Sequence, residues 1–312
     1  MKDLKYLFAY TIPLAAYVSF SSSGLGTFAA VIYAFVVIPF FDVIFGQNDT
    51  NLSDTQQKSK VVNQLFDWML YLNLPIVFGL LSYCLFQVST QPYSTMEWVG
   101  LSLSAGILLA TNAINVAHEL GHRKSFIERS LSKILYIPCL YMHFYIEHNF
   151  GHHRNVATPE DPASARYKES LYAFWLRSII FSYLHAWKIQ AQLLKSRKKS
   201  FWSSSNELLL WSLIQLIALT AIFLFFGLES LLAFLAAALF GALLLETVNY
   251  IEHYGLSRKK VSEHRYEKAE AEHSWNSDHI IGRLLLFELS RHSDHHAHPH
   301  RKYQTLQHHD QS

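Results

Sequence analysis

Residues 98–122 read WVGLSLSAGILLATNAINVAHELGH: twenty residues, 98–117, without Asp, Glu, Lys or Arg, closing on His118-Glu119-Leu120-Gly121-His122. About 20 apolar residues cross a bilayer core about 30 Å thick, so the stretch predicts a membrane helix. Its last turn sets two imidazoles on one face, because residues four apart in a helix lie one turn above each other. A membrane helix ending on a pair of metal-type ligands frames the rest of the 312-residue chain.

Charge-free runs recur at 6–41, 68–96, 208–228 and 230–245. The first is too long for one helix, and Ser21-Ser22-Ser23-Gly24-Leu25-Gly26 breaks it into a hairpin. Spans are therefore expected near 5–22, 25–45, 62–88, 97–119, 206–227 and 229–250. The fold expectation is an all-α polytopic membrane protein with six transmembrane helices, one membrane-embedded domain over 1–312. Its histidine-rich regions, 118–166 and 249–300, would lie in the cytoplasm. Orientation follows from the basic residues, since Lys and Arg collect in cytoplasmic loops. None of the 26 falls in the short connections 21–25, 89–97 and 227–230, so both termini are expected inside. A cleaved leader over 1–22 is the rival reading, but no A-x-A-like site follows it. Apolar segments near 126–142 and 169–195 are expected to be helical. The second is amphipathic, with Trp175, Phe181 and Trp187 among Arg177, Lys188 and Lys195, and is expected to lie in the interface.

Composition narrows the function. Charged residues make up 16%, against about 25% in an ordinary soluble domain, and 26 Lys+Arg nearly balance 24 Asp+Glu. No basic surplus marks a nucleic-acid binder. Two cysteines, Cys84 and Cys139, make neither a disulfide framework nor a thiolate metal site. Any metal must be held by His or carboxylates.

All 18 histidines lie at or after position 118. Beside His118 and His122 stand Glu147-His148-Asn149-Phe150-Gly151-His152-His153 and Arg291-His292-Ser293-Asp294-His295-His296, the latter closing a helix expected from about 279. Asn249-Tyr250-Ile251-Glu252-His253-Tyr254-Gly255-Leu256 ends the last span. The clusters and His253 supply nine imidazoles, more than one four- to six-coordinate ion accepts, so two metal ions are implied. Imidazole suits Fe, Zn, Cu and Ni, and iron with open positions is the choice that activates O2. Glu119, Glu147, Asp161, Glu252 and Asp294, with Asn115 and Glu246 inside the helix ends, are candidates to accept the outer ring N–H of a ligand and fix its tautomer. His143 is a candidate hydrogen-bond partner, and His298, His300, His308 and His309 are expected to face solvent or support the ligands. No role follows for His185, His264, His273 or His279.

HELGH at 118–122, EHNFGHH at 147–153, NYIEHYGL at 249–256 and SRHSDHHAHP at 290–299 together resemble the integral-membrane alkane hydroxylases, the alkane 1-monooxygenase family. VATPEDPASAR at 156–166 and SWNSDH at 274–279 are similar to that family too. The related membrane fatty acid desaturases share the histidine boxes but not the octapeptide. The resemblance implies hydroxylation of an alkane's terminal methyl with O2 at a non-haem di-iron centre in a bacterial inner membrane. It implies His118, His122, His148, His152, His153, His253, His292, His295 and His296 as ligands of two iron ions. It also implies electrons from a rubredoxin, served by an NAD(P)H-dependent reductase, and an alkane reaching the site from the bilayer. No four-cysteine iron site, dinucleotide loop or haem signature supplies electrons internally. Arg258, Lys259, Lys260, Arg301 and Lys302 are candidates to attract an acidic carrier or anionic headgroups. Phe35, Phe40 and Phe41 are candidate linings of a substrate channel. Family members usually continue well past the third cluster, whereas this sequence ends sixteen residues after His296.

Four other readings compete. HELGH fits the HExxH pattern of a zinc protease with Glu119 as general base, but seven clustered histidines would be idle. A desaturase or fatty acyl hydroxylase, or a hydroxylase of alkyl-aromatic methyl groups, would use the same di-iron site. A metal transporter would place its ligands near the bilayer midplane, and these lie at helix ends.

Overall fold

A computed structural model describes residues 2–263 and 265–310; His264 lies outside them. The described chain is predominantly helical, with one two-stranded ribbon, Lys260–Ser262 against Arg265–Tyr266. Helices Gly24–Phe45, Leu65–Thr90, Thr95–Gly121 and Glu207–His253 are long and apolar enough to cross a membrane. A shorter 3-10 and α pair, Lys2–Tyr10 and Thr11–Phe20, precedes them where 5–22 was expected.

Glu207–His253 is not one rod. Gly227 sits at φ 82°, ψ −179°, a conformation open in practice only to glycine, and the chain doubles back there. Gln215 Nε2 donates to the carbonyl of Tyr136 on one arm, while Glu246 on the other accepts from Tyr141. Both arms thus reach the same short segment. At the turn, Ser230 Oγ donates to the carbonyl of Leu85. At the same end, the hairpin before Thr27 turns at Gly24, φ 56°, whose N–H donates to Glu97 Oε1 at 2.6 Å, while the neighbouring Trp98 Nε1 donates to the Glu229 carbonyl.

Thr95–Gly121 is the central element: 72% of its apolar window is buried, against 11% for Gly24–Phe45 and 6% for Glu207–His253. Small residues let backbones approach it closely, the usual device where lipid replaces water as solvent. A Cβ on Gly106 would lie 2.8 Å from Phe240 Cδ1 and 2.9 Å from the Ala237 carbonyl oxygen. Asn112 Nδ2 donates to Asn73 Oδ1 at 2.9 Å, tying the helix to its neighbour where the amide would otherwise be unpartnered. The outer helices present Phe35, Val43, Leu216, Leu224, Phe225 and Leu239 outward. So large an apolar exterior suits lipid, and the chain is a membrane protein.

Two expectations about the histidine end are corrected. The segment expected to be one helix from about 279 to 296 is broken into Ile280–Leu285 and His292–Ala297. Phe287 and Glu288 between them take left-handed φ values of 51° and 59°. Buried Arg291, whose Nε donates to Asp278 Oδ1, holds that corner. The segment near 126–142 is helical only over Phe126–Tyr136, whereas that near 169–195 forms Leu171–Ser196 as read. The latter leaves Tyr172, Leu176, Ile180 and Leu184 exposed as one stripe at four-residue spacing.

Candidate metal centre

The nine clustered histidines gather into two adjacent groups. His118, His122, His148, His153 and His295 form one, and His152, His253, His292 and His296 the other. Neighbours in sequence are divided: His152 and His153 go to different groups, as do His295 and His296. Local backbone explains the first division. Residues 148–152 form a π turn, which is wider than an α turn, so His148 and His153, five apart, point together with Nε2 atoms 2.9 Å from each other. The equivalent α-helical pair in the third cluster is His292 and His296, at 2.9 Å. π turns also occupy 33–37 and 109–114, beside the same end of the molecule, in keeping with their frequency at functional sites.

The nitrogens meet in a way that hydrogen bonds do not account for. His148 Nε2 lies 2.7 Å from His118 Nε2, 3.1 Å from His122 Nε2 and 2.9 Å from His153 Nε2. A ring nitrogen has one proton or one lone pair to offer, so at most one of these contacts is a hydrogen bond. In the other group, His292 Nε2 lies 2.9 Å from His296 Nε2 and 3.2 Å from His253 Nε2, and His296 Nε2 lies 3.2 Å from His152 Nε2. Imidazole nitrogens about 2.0–2.1 Å from one ion stand roughly 2.9–3.4 Å apart. The spacing therefore fits a cation at the centre of each group. Burial pushes the imidazoles of His148, His295 and His296 well below their usual pKa, and neutral rings are what a metal needs. Both nitrogens of His295 lack any protein partner.

Of the polar residues expected to orient these rings, Asp161 is the one placed to do so: His152 Nδ1 donates to its Oδ2 at 2.8 Å. Ser164 Oγ and the Ala163 N–H hold that carboxylate. The others are engaged elsewhere. Glu119 pairs with Arg123 and accepts from the Tyr303 N–H. Glu147 accepts from His185 Nδ1 at 3.0 Å, giving a partner to a histidine for which the sequence suggested no role. Glu246 accepts from Tyr141 OH and Asn249, and Asn115 donates to the Leu286 carbonyl. Asp294 binds Arg301, His298 and His309. Glu252 approaches His292 on its inward Nε2, at 3.3 Å, rather than on the outer nitrogen. His143 is no partner of the second cluster; its ring lies edge-on to Tyr141 at 4.3 Å.

The C-terminal segment is a strap over this end, which the sequence did not signal. Lys302 pairs with Asp67, His300 Nδ1 donates to the His122 carbonyl, and His308 pairs with Asp278. Tyr303, fully buried, packs edge-on against Tyr6, Phe66 and Phe287. Basic residues considered for an acidic carrier are largely spoken for. Arg258 donates to the carbonyls of Val156, Arg154 and Glu267, while Arg301 pairs with Asp294, leaving Lys259 and Lys260 exposed.

A cavity of about 300 Å³ runs from His118, His148 and His292 to the flank of the bundle. Phe35 and Val248 line it and are themselves exposed on that flank. Phe40 and Phe41 do not line it and face outward. Its remaining wall is mainly aliphatic, including Ile107, Ala110 and Leu245.

Comparison with known proteins agrees with this architecture. The fatty acid desaturase family model matches residues 95–311. The alkane 1-monooxygenase of Pseudomonas putida is 41% identical over 92% of this chain and 71% of its own length. That of Ectopseudomonas oleovorans is 40% identical over 92% and 72% respectively. The hydroxylase component of a Pseudomonas putida xylene/toluene monooxygenase is 28% identical over 72% of this chain and 61% of its own. The chain belongs to the alkane 1-monooxygenase family of enzymes.

Proposed function

We propose that residues 1–312 act as one membrane-embedded monooxygenase domain that hydroxylates the terminal methyl of n-alkanes to 1-alkanols. The observation that carries this reading is the pairing of two imidazole clusters with an apolar cavity open on the lipid-facing flank. Iron ions held by His118, His122, His148, His153 and His295, and by His152, His253, His292 and His296, would supply O2 activation and insertion of one oxygen atom into a C–H bond. The family and the need to activate O2 support iron, and the two groups of nitrogens support two ions.

The protein's own part is placement. Aliphatic walls bind a chain lengthwise and exclude water, and His118 and His148 line the inner end of the cavity, so the chain's terminus is the part presented to the centre. Among the described residues that line it there is no Lys or Arg to hold a carboxylate. That favours a hydrocarbon over a fatty acid. Two electrons come from a separate protein, a rubredoxin with its NAD(P)H-dependent reductase. Six spans are supported by Lys2–Phe20, the four long helices and the reversal at Gly227. The distribution of Lys and Arg supports both termini on the cytoplasmic face of a bacterial inner membrane.

The test is gas chromatography of cells expressing the chain with a rubredoxin and its reductase, fed n-octane, toluene or a fatty acid in parallel. Appearance of 1-octanol, abolished by His295→Ala, is the expected result. A folded, iron-loaded protein yielding benzyl alcohol or an oxidised acid instead of 1-octanol would overturn the alkane assignment.

A further inference from the structure

From Ser170 to Asn206 the chain carries six Lys and Arg and no Asp or Glu. Arg177 is taken up by Glu169. Among the described residues, Lys188, Lys195, Arg197, Lys198 and Lys199 have no acidic partner, and all five are exposed. The next acid along the chain, Glu207, is paired with Lys133 at 2.6 Å. Like charges this close repel one another, and no acid of the protein offsets them.

The cluster is held in shape rather than trailing as a loose loop. It caps the helix Leu171–Ser196. The Arg197 N–H returns to the Leu193 carbonyl at 3.2 Å, Lys198 to Lys195 at 3.1 Å and Lys199 to Leu194 at 2.9 Å, with Lys198 left-handed at φ 53°. The Trp202 N–H donates to Ser200 Oγ, and Ser203 Oγ donates to the Ser200 carbonyl. The Phe201 ring packs on Trp187 of the helix at 5.8 Å and on Trp202 at 5.3 Å. Trp202 itself is 79% exposed.

The hairpin that reverses at Gly227 fixes where this cluster sits, because its two ends, Glu207 and His253, lie at one end of the molecule. Early in the helix Leu171–Ser196, Trp175 Nε1 donates to Thr247 Oγ1 at 3.2 Å and Phe174 packs on Tyr250 at 5.4 Å. Late in it, Gln190 Nε2 donates to the Ser205 carbonyl at 3.5 Å, beside the start of the other arm. The helix therefore runs across the ends of both arms, where a spanning helix passes from hydrocarbon into headgroups. Its exposed stripe of Tyr172, Leu176, Ile180 and Leu184 continues at the same four-residue spacing into Lys188. An apolar stripe, a basic end and an exposed Trp make up a helix that lies in a bilayer interface. Clusters of about 4–8 Lys and Arg beside a spanning helix attract anionic lipid.

We propose that Lys195, Arg197, Lys198 and Lys199, with Lys188 and Trp202, form a binding surface for the phosphate headgroups of anionic phospholipid. The cations meet the headgroups, and Trp202 enters the interface beside them. A protein with an acidic face would meet the same charge. The exposed Trp202 and the apolar stripe favour a surface that is anionic above and greasy beneath, which is a lipid leaflet. The proposal rests on the chain being a membrane protein and is independent of the metals and of the reaction.

In the experiment, delipidated protein in detergent is mixed with equal amounts of phosphatidylglycerol and phosphatidylcholine of the same acyl chains. Retained lipid is read by native mass spectrometry, and the unfolding temperature is measured with each lipid alone. Each Lys or Arg at an anionic surface is worth about fivefold, so wild type is expected to prefer phosphatidylglycerol by at least about tenfold and to be stabilised by it. The variant Lys195→Gln/Arg197→Gln/Lys198→Gln/Lys199→Gln should retain both lipids alike and lose that stabilisation. Lys259→Gln/Lys260→Gln, which removes an exposed basic pair elsewhere, should behave as wild type; an equal loss there would overturn a dedicated surface in favour of diffuse charge. Stabilisation by inorganic phosphate equal to that by phosphatidylglycerol would overturn the assignment to lipid. Retained preference in the fourfold variant, with lost electron uptake from rubredoxin, would assign the cluster to the carrier instead. If the fourfold variant does not insert, Lys198→Gln/Lys199→Gln decides on the same readouts: a preference lowered severalfold supports the proposal and an unchanged one ends it.

Discussion

Asp161→Asn separates the two groups of histidines in a single measurement. The Asp161 carboxylate is buried and takes three hydrogen bonds: His152 Nδ1 at 2.8 Å and Ser164 Oγ at 2.5 Å on Oδ2, and the Ala163 N–H at 3.1 Å on Oδ1. An asparagine of the same shape has one accepting oxygen and one donating nitrogen. With its oxygen toward His152, its amide faces the Ala163 N–H, donor against donor. With its amide toward His152, it faces the Nδ1–H that should donate, and the ring must take the other tautomer or lose the bond. One interaction is lost either way, and the negative charge that makes the imidazole a better donor is lost with it. A hydrogen bond to a charged group contributes about 1.5–3 kcal/mol, and tenfold in affinity is about 1.4 kcal/mol. The expected weakening is therefore on the order of 10- to 100-fold. It should fall on one ion of two, because His152 belongs to the four-histidine group. Anaerobic titration of metal-stripped protein with cobalt(II) against a chelator resolves the two sites. Equal weakening at both, or none at either, would refute the division of the histidines derived from the π turn at 148–152.

Three further outcomes follow from other parts of the molecule. Tyr303→Ala should lower stability by about 3–5 kcal/mol, the usual cost of truncating a buried aromatic, read as an earlier unfolding transition in detergent; an unchanged transition would mean the strap is not docked. Ala110→Phe places a ring in the cavity beside His118 and His148, and should abolish alkane turnover while both metals stay bound. Persisting octane oxidation in that variant would rule this cavity out as the substrate's path. Burial pushes the Glu288 carboxyl up, but Lys5, Arg283 and Tyr6 outweigh it and hold it below its usual range. A carboxylate lowered in the folded state stabilises the fold above its unfolded pKa, about 4.3. That stability is lost as pH falls through the lowered value. Glu288→Gln should therefore flatten the acid limb of stability below about pH 4.3 and leave its slope near neutrality unchanged.

The sequence by itself determined the helical membrane architecture and the identity of the nine imidazoles. Both signals are local: charge-free runs such as 98–117 and 230–245 have no stable state in water, and histidines one turn apart at a helix end need no knowledge of the rest of the chain. It could not assign the histidines to their groups. His152 and His153 differ by one position, and which group each joins depends on a π turn whose i to i+5 spacing the α-helical reading does not contain. Nor could it choose among the acids. Glu119, Glu147, Asp161, Glu252 and Asp294 all stand within reach of a histidine in the chain; Glu119 meets Arg123 one helical turn on, but only packing sends Glu147 to His185 and Asp161 to His152. The same holds for Phe35, which lines the cavity, against Phe40 and Phe41, which face outward. The cavity, the strap carrying Tyr303 and the inward approach of Glu252 to His292 are contacts between segments far apart in the chain. Composition and periodicity set which side chains a helix offers; the crossing of helices and the break at Phe287 and Glu288 decide which of them meet.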